Sequence, residues 1–325
     1  MPKIALIFFI AFELCYYLLI AQTGIVEYFA SNIYYIAPLP IGGIIGSILC
    51  YKISLSNDKK IKIFLMMQLI LTFFYPNYSP ITLFILGISV GALAPLLINE
   101  LKKASTVDLG LALAISYSVG TLLFNYDPAK REFIAIIFTV IVLICSYFLQ
   151  KIKTNKEIKN FTPYPIFVMV LWIFLDSALF ETLSRDLSVS IWRDGFTFEI
   201  IVFHIIGVIA ALKLNIQRME NELFIMILFA LSYLFYFLQE PLALSVIYPF
   251  VISYYNVNIL RSLVKKPLKK IALYMVFIGW IASGMGLFIA LENLTIFVPF
   301  IFLIAFIKII NSQKNLLIKE KKCIN

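Results

Sequence analysis

A helix needs roughly 20 consecutive apolar residues to cross the hydrocarbon layer of a bilayer, and this chain of 325 residues offers twelve stretches that reach or approach that length. They run approximately over 4–22, 33–52, 63–75, 80–98, 107–125, 132–150, 164–184, 196–214, 223–239, 241–260, 271–291 and 294–311. The third is the shortest, because Pro76 closes it. Lipid offers no partner to a bare backbone N–H or C=O, so only helices and closed barrels span a membrane. The stretches lack the period-two alternation of barrel strands. An all-α polytopic membrane protein with twelve transmembrane helices is therefore expected. With 62% hydrophobic and 14% charged residues, an ordinary soluble domain is excluded.

The net charge of +9 suggests a nucleic-acid partner until the basic residues are placed. With the N-terminus in the cytoplasm, all of the Lys and Arg except Lys130, Arg131, Arg185 and Arg193 fall at cytoplasmic ends and loops. The largest groups are Lys59, Lys60 and Lys62; Lys151, Lys153, Lys156 and Lys159; and Lys265, Lys266, Lys269 and Lys270. This is the asymmetry of the positive-inside rule, and a missed span would invert every later loop. Both termini are expected in the cytoplasm and the chain in a plasma membrane of the bacterial inner type. Its partners are then the lipid bilayer and whatever small solute it handles, with no nucleic acid.

The second half repeats the first in the same direction. Ile44-Ile45-Gly46-x-Ile48-x-x-x-Lys52 recurs as Ile205-Ile206-Gly207-x-Ile209-x-x-x-Lys213 at an offset of 161. Lys102-Lys103 recurs as Lys265-Lys266 at 163, and Glu13 recurs as Asp176 at the same offset. The expected division is a six-helix bundle over 1–150, a basic cytoplasmic linker over 151–161 and a second bundle with a short basic tail over 162–325. The other connections are short, so any site must lie within the bilayer. Gly42 and Gly46, with Gly87 and Gly91, form small-x-x-x-small patterns that let helices approach closely, while Pro95 and Pro249 should bend their helices. Cys15, Cys50, Cys145 and Cys323 have no disulfide or metal spacing and read as apolar fillers. Glu13 interrupts the first stretch, which is read as a span and not as a cleaved leader.

A carboxylate at the bilayer centre costs about 2.5–3.5 kcal/mol on insertion scales, so it should face a cavity or a partner. Glu13 and Asp176 are such residues. Phe9, Tyr16 and Tyr17 share the face of Glu13 at helical spacing, and Trp172 lies four before Asp176. A carboxyl group buried there can load and release a proton near neutral pH, or it can simply bond a neighbouring helix. His204, the one histidine, either titrates and couples to Asp176 or is a satisfied packing residue. One His without a Cys cluster supplies too few ligands for a metal site. Glu181 and Arg185 are spaced to pair at the outer end of the seventh helix, while Arg193, Asp194 and Glu199 read as a solvated rim. Ser253, Tyr254, Tyr255, Asn256 and Asn258 in the tenth helix, and Ser116 and Ser118 in the fifth, either bond a polar solute or join helices. The interiors of the third, sixth, ninth and twelfth stretches hold no charge.

A parallel six-plus-six duplication with cytoplasmic termini, a basic central linker and short loops resembles the major facilitator superfamily. The resemblance covers essentially the whole chain. It implies that the first, fourth, seventh and tenth helices line a central cavity, while the third, sixth, ninth and twelfth face lipid. The family's loop motif between the second and third helices survives in fragments: Gly46 and Lys59-Lys60-x-Lys62 are present, but Cys50 stands where the acid is expected. At the repeat position Gly207 and Lys213 remain, with Ala211 in place of the acid. Gly120, and Gly279, Ser283, Gly284 and Gly286, resemble the small-residue packing of the family's interdomain helices.

The resemblance implies a monomeric secondary transporter working by alternating access, without cofactor, metal or enzymatic activity. Glu13, Asp176 and His204 are the candidates for proton coupling or solute binding, with Tyr16, Tyr17, Trp172, Tyr255, Asn256 and Trp280 as cavity candidates. No nucleotide-binding GxxxxGK[ST] loop is present, so an ion gradient is the expected energy source. Two other classes remain open. One is a non-transporting assembly or interaction protein on the same fold; the other is an intramembrane lipid-modifying enzyme, which would need a catalytic constellation that the residues do not offer.

Overall fold

The structure, a computed structural model, describes residues 2–149, 161–186, 188–214 and 216–307. All of the expected 151–161 linker except Phe161, and the basic tail beyond 307 with Cys323, lie outside the described residues. Among those described there are helices and no strand. In chain order they are α1 (Pro2–Tyr28), α2 (Pro38–Lys52), α3 (Asn57–Thr72), α4 (Pro80–Glu100), α5 (Thr106–Phe124), α6 (Glu132–Ser146) and α7 (Ile166–Arg185). There follow α8 (Thr197–Lys213), α9 (Arg218–Phe237), α10 (Pro241–Leu263), α11 (Leu268–Leu291) and α12 (Leu294–Ile307). Helical segments thus stand at all twelve apolar stretches. Eight helical stretches pass a joint test of length and apolarity for spanning a membrane, and α3, α6, α8 and α12 are shorter among the described residues.

Side chains at the ends explain several boundaries. Ser79 and Thr82 form a capping box at the start of α4, with Pro80 in the first turn, and Ser105 and Asp108 do the same for α5; such pairs satisfy the N–H groups that a helix start leaves bare. The third helix starts earlier than apolarity alone suggests. Ser56 caps it, Lys62 pairs with Asp58 at 3.0 Å, and Lys60 folds back to donate to the Cys50 carbonyl at the end of α2, at 2.8 Å. A lysine that satisfies a bare C-terminal carbonyl is favoured by the helix dipole, and Lys60 is accordingly buried.

Apolar helices in lipid gain nothing from leaving the hydrocarbon, so their association rests on close packing and interhelical hydrogen bonds. The α2–α4 seam illustrates this. A Cβ added to Gly42 or Gly46 would lie 2.1 Å from the carbonyl oxygen of Phe84 or Ile88, and one on Gly87 would lie 2.1 Å from that of Leu39. Only glycine permits this approach. Pro95 has no N–H for the Gly91 carbonyl four residues back, and the Ser47 hydroxyl of α2 reaches that carbonyl instead, at 2.9 Å.

The packing repeats between halves: α2 lies on α4 as α8 lies on α10, and α1 lies on α5 as α7 lies on α11. Contacts from one half to the other run through α5 with α8 and through α2 and α4 with α11. Large apolar side chains such as Ile63, Phe133, Leu234 and Leu303 are exposed on α3, α6, α9 and α12, the helices whose interiors carry no charge.

Two helices depart from regular geometry beside the centre of the molecule. Residues Tyr17–Gln22 of α1 and Val276–Ala282 of α11 form π turns, which widen the helix and release carbonyls, and which recur at functional sites. In α1 side chains reach the carbonyls of this turn: the Thr23 hydroxyl donates to the Leu18 carbonyl at 2.8 Å, beside the Thr23 backbone N–H, and the fully buried Arg131 donates to that of Leu19 at 2.9 Å.

Candidate functional site

Between the halves lies a cavity of about 270 Å³ whose wall includes both Glu13 and Asp176. Tyr17, His204, Tyr255, Asn256 and Trp280 also line it. Its walls come from α1, α4, α5, α7, α8, α10 and α11, so α5, α8 and α11 join the four helices named from the family pattern. The two π turns contribute directly, since Tyr17 and Gln22 belong to one and Gly279 and Trp280 to the other.

Asp176 is half-buried, and both its carboxylate oxygens are held by α10. Tyr248 donates to Oδ1 at 2.8 Å and Tyr255 to Oδ2 at 2.6 Å. These two tyrosines are seven apart, two helical turns on one face. Glu13 is 5% exposed and is held from the opposite direction. Gln68 of α3 donates to its Oε2 at 3.3 Å, and the same amide nitrogen donates to Thr139 of α6, also at 3.3 Å. Glu13 Oε1 has no hydrogen-bond partner among the described residues.

Two aromatic contacts tie the halves together at related positions. Tyr117 of α5 stacks flat on His204 of α8, with centroids 4.4 Å apart and planes at 1°. Trp280 of α11 covers Gly43 of α2 so closely that an added Cβ would meet the ring at 2.1 Å, and its Nε1 donates to Ser47 at 3.3 Å. Tyr117 and Trp280 are 163 positions apart and Gly43 and His204 161 apart, the offsets of the duplication. His204 Nδ1 bonds the Ser253 hydroxyl at 2.6 Å. The expected coupling of His204 to Asp176 has no hydrogen bond behind it among the described residues: the His204 ring bonds Ser253 and stacks on Tyr117 instead.

On the face opposite Pro2, hereafter the far face, the halves meet. Trp192, from the connection between α7 and α8, is buried and stacks on Phe124 of α5 at 5.1 Å, while Phe180 meets it edge-on at 5.0 Å. Asn125 donates to the Trp192 carbonyl at 2.6 Å, and Arg193 meets Glu27 at 3.4 Å. Glu181 accepts from Gln22 of α1 at 3.5 Å and pairs with Arg185 at 3.8 Å. Arg193, expected on the solvated rim, therefore contributes to a contact between halves. From this seal the cavity runs toward the Pro2 face between Leu97, Ile98, Leu260, Leu263 and Met275.

Two cavity candidates are placed elsewhere and require correction. Tyr16 is fully buried and bonds Thr72 of α3 at 3.0 Å, and Trp172 is fully buried against Tyr164 at 4.9 Å; neither lines the cavity. Both spacings to an acid were helical, but neighbours at three and four residues lie on either side of a residue, and only one side faces the opening. Conversely, Gln68, Tyr117, Tyr248, Phe124 and Trp192 were missed. Tyr248 had a readable signal, its two-turn spacing from Tyr255; Gln68 had another, as a buried amide in an apolar helix.

These features define a class: an all-α integral membrane protein with a solute-sized cavity enclosed by two repeated halves. No protein-family profile matches the sequence, and no curated protein matches it. The fold does have solved counterparts. The chain resembles the major facilitator superfamily transporter FucP in its outward conformation, with 13% identity over 93% of this chain and 97% of that one, at a TM-score of 0.59. A variant of the E. coli fucose:proton symporter FucP matches with 14% identity over 93% and 96% of the chains, TM-score 0.56. The proton:xylose symporter XylE bound to a brominated glucose matches with 12% identity over 94% and 90%, TM-score 0.56. The fold is that of the major facilitator superfamily.

Proposed function

We propose that this chain is a secondary transporter that moves a small solute across the membrane by alternating access. The observation that carries the reading is a cavity walled by both halves that holds Glu13 from one and Asp176 from the other, with contacts between the halves on its far-face side. Proton coupling fits this arrangement because Glu13 and Asp176 lie in the bilayer interior, where a carboxyl group is favoured when neutralised by a proton or a partner. Two of the similar structures are of proteins described as proton symporters, which supports a gradient-driven mechanism here. In this reading 1–150 and 162–325 are the two rocking bundles, the chain acts as a monomer without a cofactor, and the basic ends place the Pro2 face in the cytoplasm of a bacterial inner membrane. The far-face seal then makes the described state one that serves the cytoplasmic side.

The test is solute-driven proton flux in proteoliposomes. Glu13→Gln and Asp176→Asn should each abolish coupled proton movement while the protein remains folded. Coupled flux unchanged in both variants would sink the proton role. Failure of any solute to cross, in wild-type protein that binds it, would favour a non-transporting partner on the same fold.

A further inference from the structure

The cavity contains two carboxyl groups and, among the described residues, no Lys or Arg in its wall. The nearby cations are committed at the far face or away from the opening. Arg185 meets Glu181 and Arg193 meets Glu27, while Arg131 donates to the carbonyls of Leu19, Phe124 and Tyr126 and to the Thr23 hydroxyl. A buried carboxylate without a positive partner is strongly unfavourable. Neutralisation then falls to a proton or to a cation that enters the cavity, and the two can exchange at the same carboxyl groups.

Part of the neutral polar lining is spent within the protein. Ser177 donates to the Ser283 carbonyl at 2.9 Å, Trp280 to Ser47 at 3.3 Å, and His204 is bonded to Ser253 at 2.6 Å. Beside the two carboxyl groups, of which Asp176 is half-buried and faces the cavity, stand the rings of Tyr17 and Trp280, set edge-to-face at 6.4 Å. Aromatic faces attract cations as well as apolar surface.

The geometry points to a monovalent organic cation as the occupant: an amine on a flat apolar body, its charge directed at Asp176 or Glu13 and its body against the Tyr17 and Trp280 rings. At about 270 Å³ the cavity suits a ring with a short chain. This inference rests on the reading of the cavity as a solute site, and it can be separated from that reading because it concerns binding alone.

The experiment is calorimetric titration of the purified full chain with a charge series of one shape: phenethylamine, phenethyl alcohol and phenylacetate. The amine should bind at least about tenfold more tightly than the alcohol, a modest electrostatic preference, and phenylacetate should not bind measurably. Asp176→Asn should bring the amine to the affinity of the alcohol. Equal affinity of amine and alcohol for the wild-type protein overturns the inference, as does a full amine preference in the Glu13→Gln, Asp176→Asn double variant. If the variants fail to fold, the wild-type series decides alone. Amine selectivity without flux would count against transport and leave this inference standing; flux of a neutral solute with no amine preference would do the reverse.

Discussion

Glu13 and Asp176 occupy equivalent places in the two halves, and each is held by partners that the other half lacks. Asp176 is gripped through both oxygens by Tyr248 and Tyr255 of α10. The α4 positions equivalent to those tyrosines at offsets of 161–163, residues 85–87 and 92–94, are all apolar. Glu13 is held through one oxygen by Gln68 of α3, which is shared with Thr139 of α6. The positions equivalent to Gln68 and Thr139, residues 229–231 and 300–302, are apolar as well. Duplication has kept a carboxyl group on each side of the cavity while its support has diverged. Asp176 is fixed in orientation by its own bundle and faces the opening; Glu13, one methylene longer, is turned back toward the lipid-side helices and keeps one oxygen free.

The comparison can be broken at several points. The largest effect should come from the frame that both halves share. Gly46→Leu drives a side chain into the Ile88 backbone, where even a Cβ would sit at 2.1 Å, and Gly207→Leu does so against Phe250 at 2.5 Å. Overpacking of this kind costs about 1–3 kcal/mol or more. Melting in detergent should fall for both variants and further for Gly46→Leu. Equal tolerance of both would mean that the seams are looser than they look.

Next in size is the contrast between the acids. Asp176→Asn removes the charge that faces the opening, so solute affinity should drop by roughly 10- to 100-fold. Glu13→Gln keeps an oxygen for Gln68 and should lower affinity by only about threefold, while abolishing coupled proton movement like Asp176→Asn. Reversal of the affinity order would place the solute on the α1 side. A smaller effect is expected one step outward: Tyr255→Phe removes one of the two bonds that orient Asp176 and should weaken binding by about threefold, whereas Gln68→Leu should change binding little and shift the pH dependence of flux. Both can be read from one set of titrations and flux profiles.

The smallest effect concerns the residues beside the acids. Trp172→Phe should leave solute affinity within about twofold, because Trp172 is buried behind the wall, whereas Trp280→Phe removes both a ring face and the bond to Ser47. A strong binding defect in Trp172→Phe would contradict its placement.

The contrast also shows where sequence reading is strong. The helices, the repeated packing and the meeting of the two acids at one cavity were legible because continuous apolarity and a fixed offset are one-dimensional signals. Which side of a helix faces the opening was not, since helices that are apolar all round carry no angular signal. Tyr16 and Tyr17 are adjacent and both lie within a turn of Glu13, yet neighbours on a helix point about 100° apart, so one faces the cavity and the other bonds Thr72. Trp192 escaped for a different reason. It lies in a connection among charged residues, and its burial follows only from contact with Phe124 and Phe180 of other helices. Arg131 likewise reads as a loop charge until the carbonyls of α1 and α5 are seen around it.

The central claim is that one cavity, containing both acids, is opened to each side of the membrane in turn. Ser283, in the cavity wall, can be replaced by cysteine in a protein whose own cysteines are replaced, and its labelling by an impermeant maleimide followed from each side of oriented proteoliposomes. The account predicts labelling from the Pro2 face at rest, and labelling from the far face as well once a transported solute and a pH gradient are supplied. Labelling that never occurs from the far face, in protein that still binds solute, would contradict it.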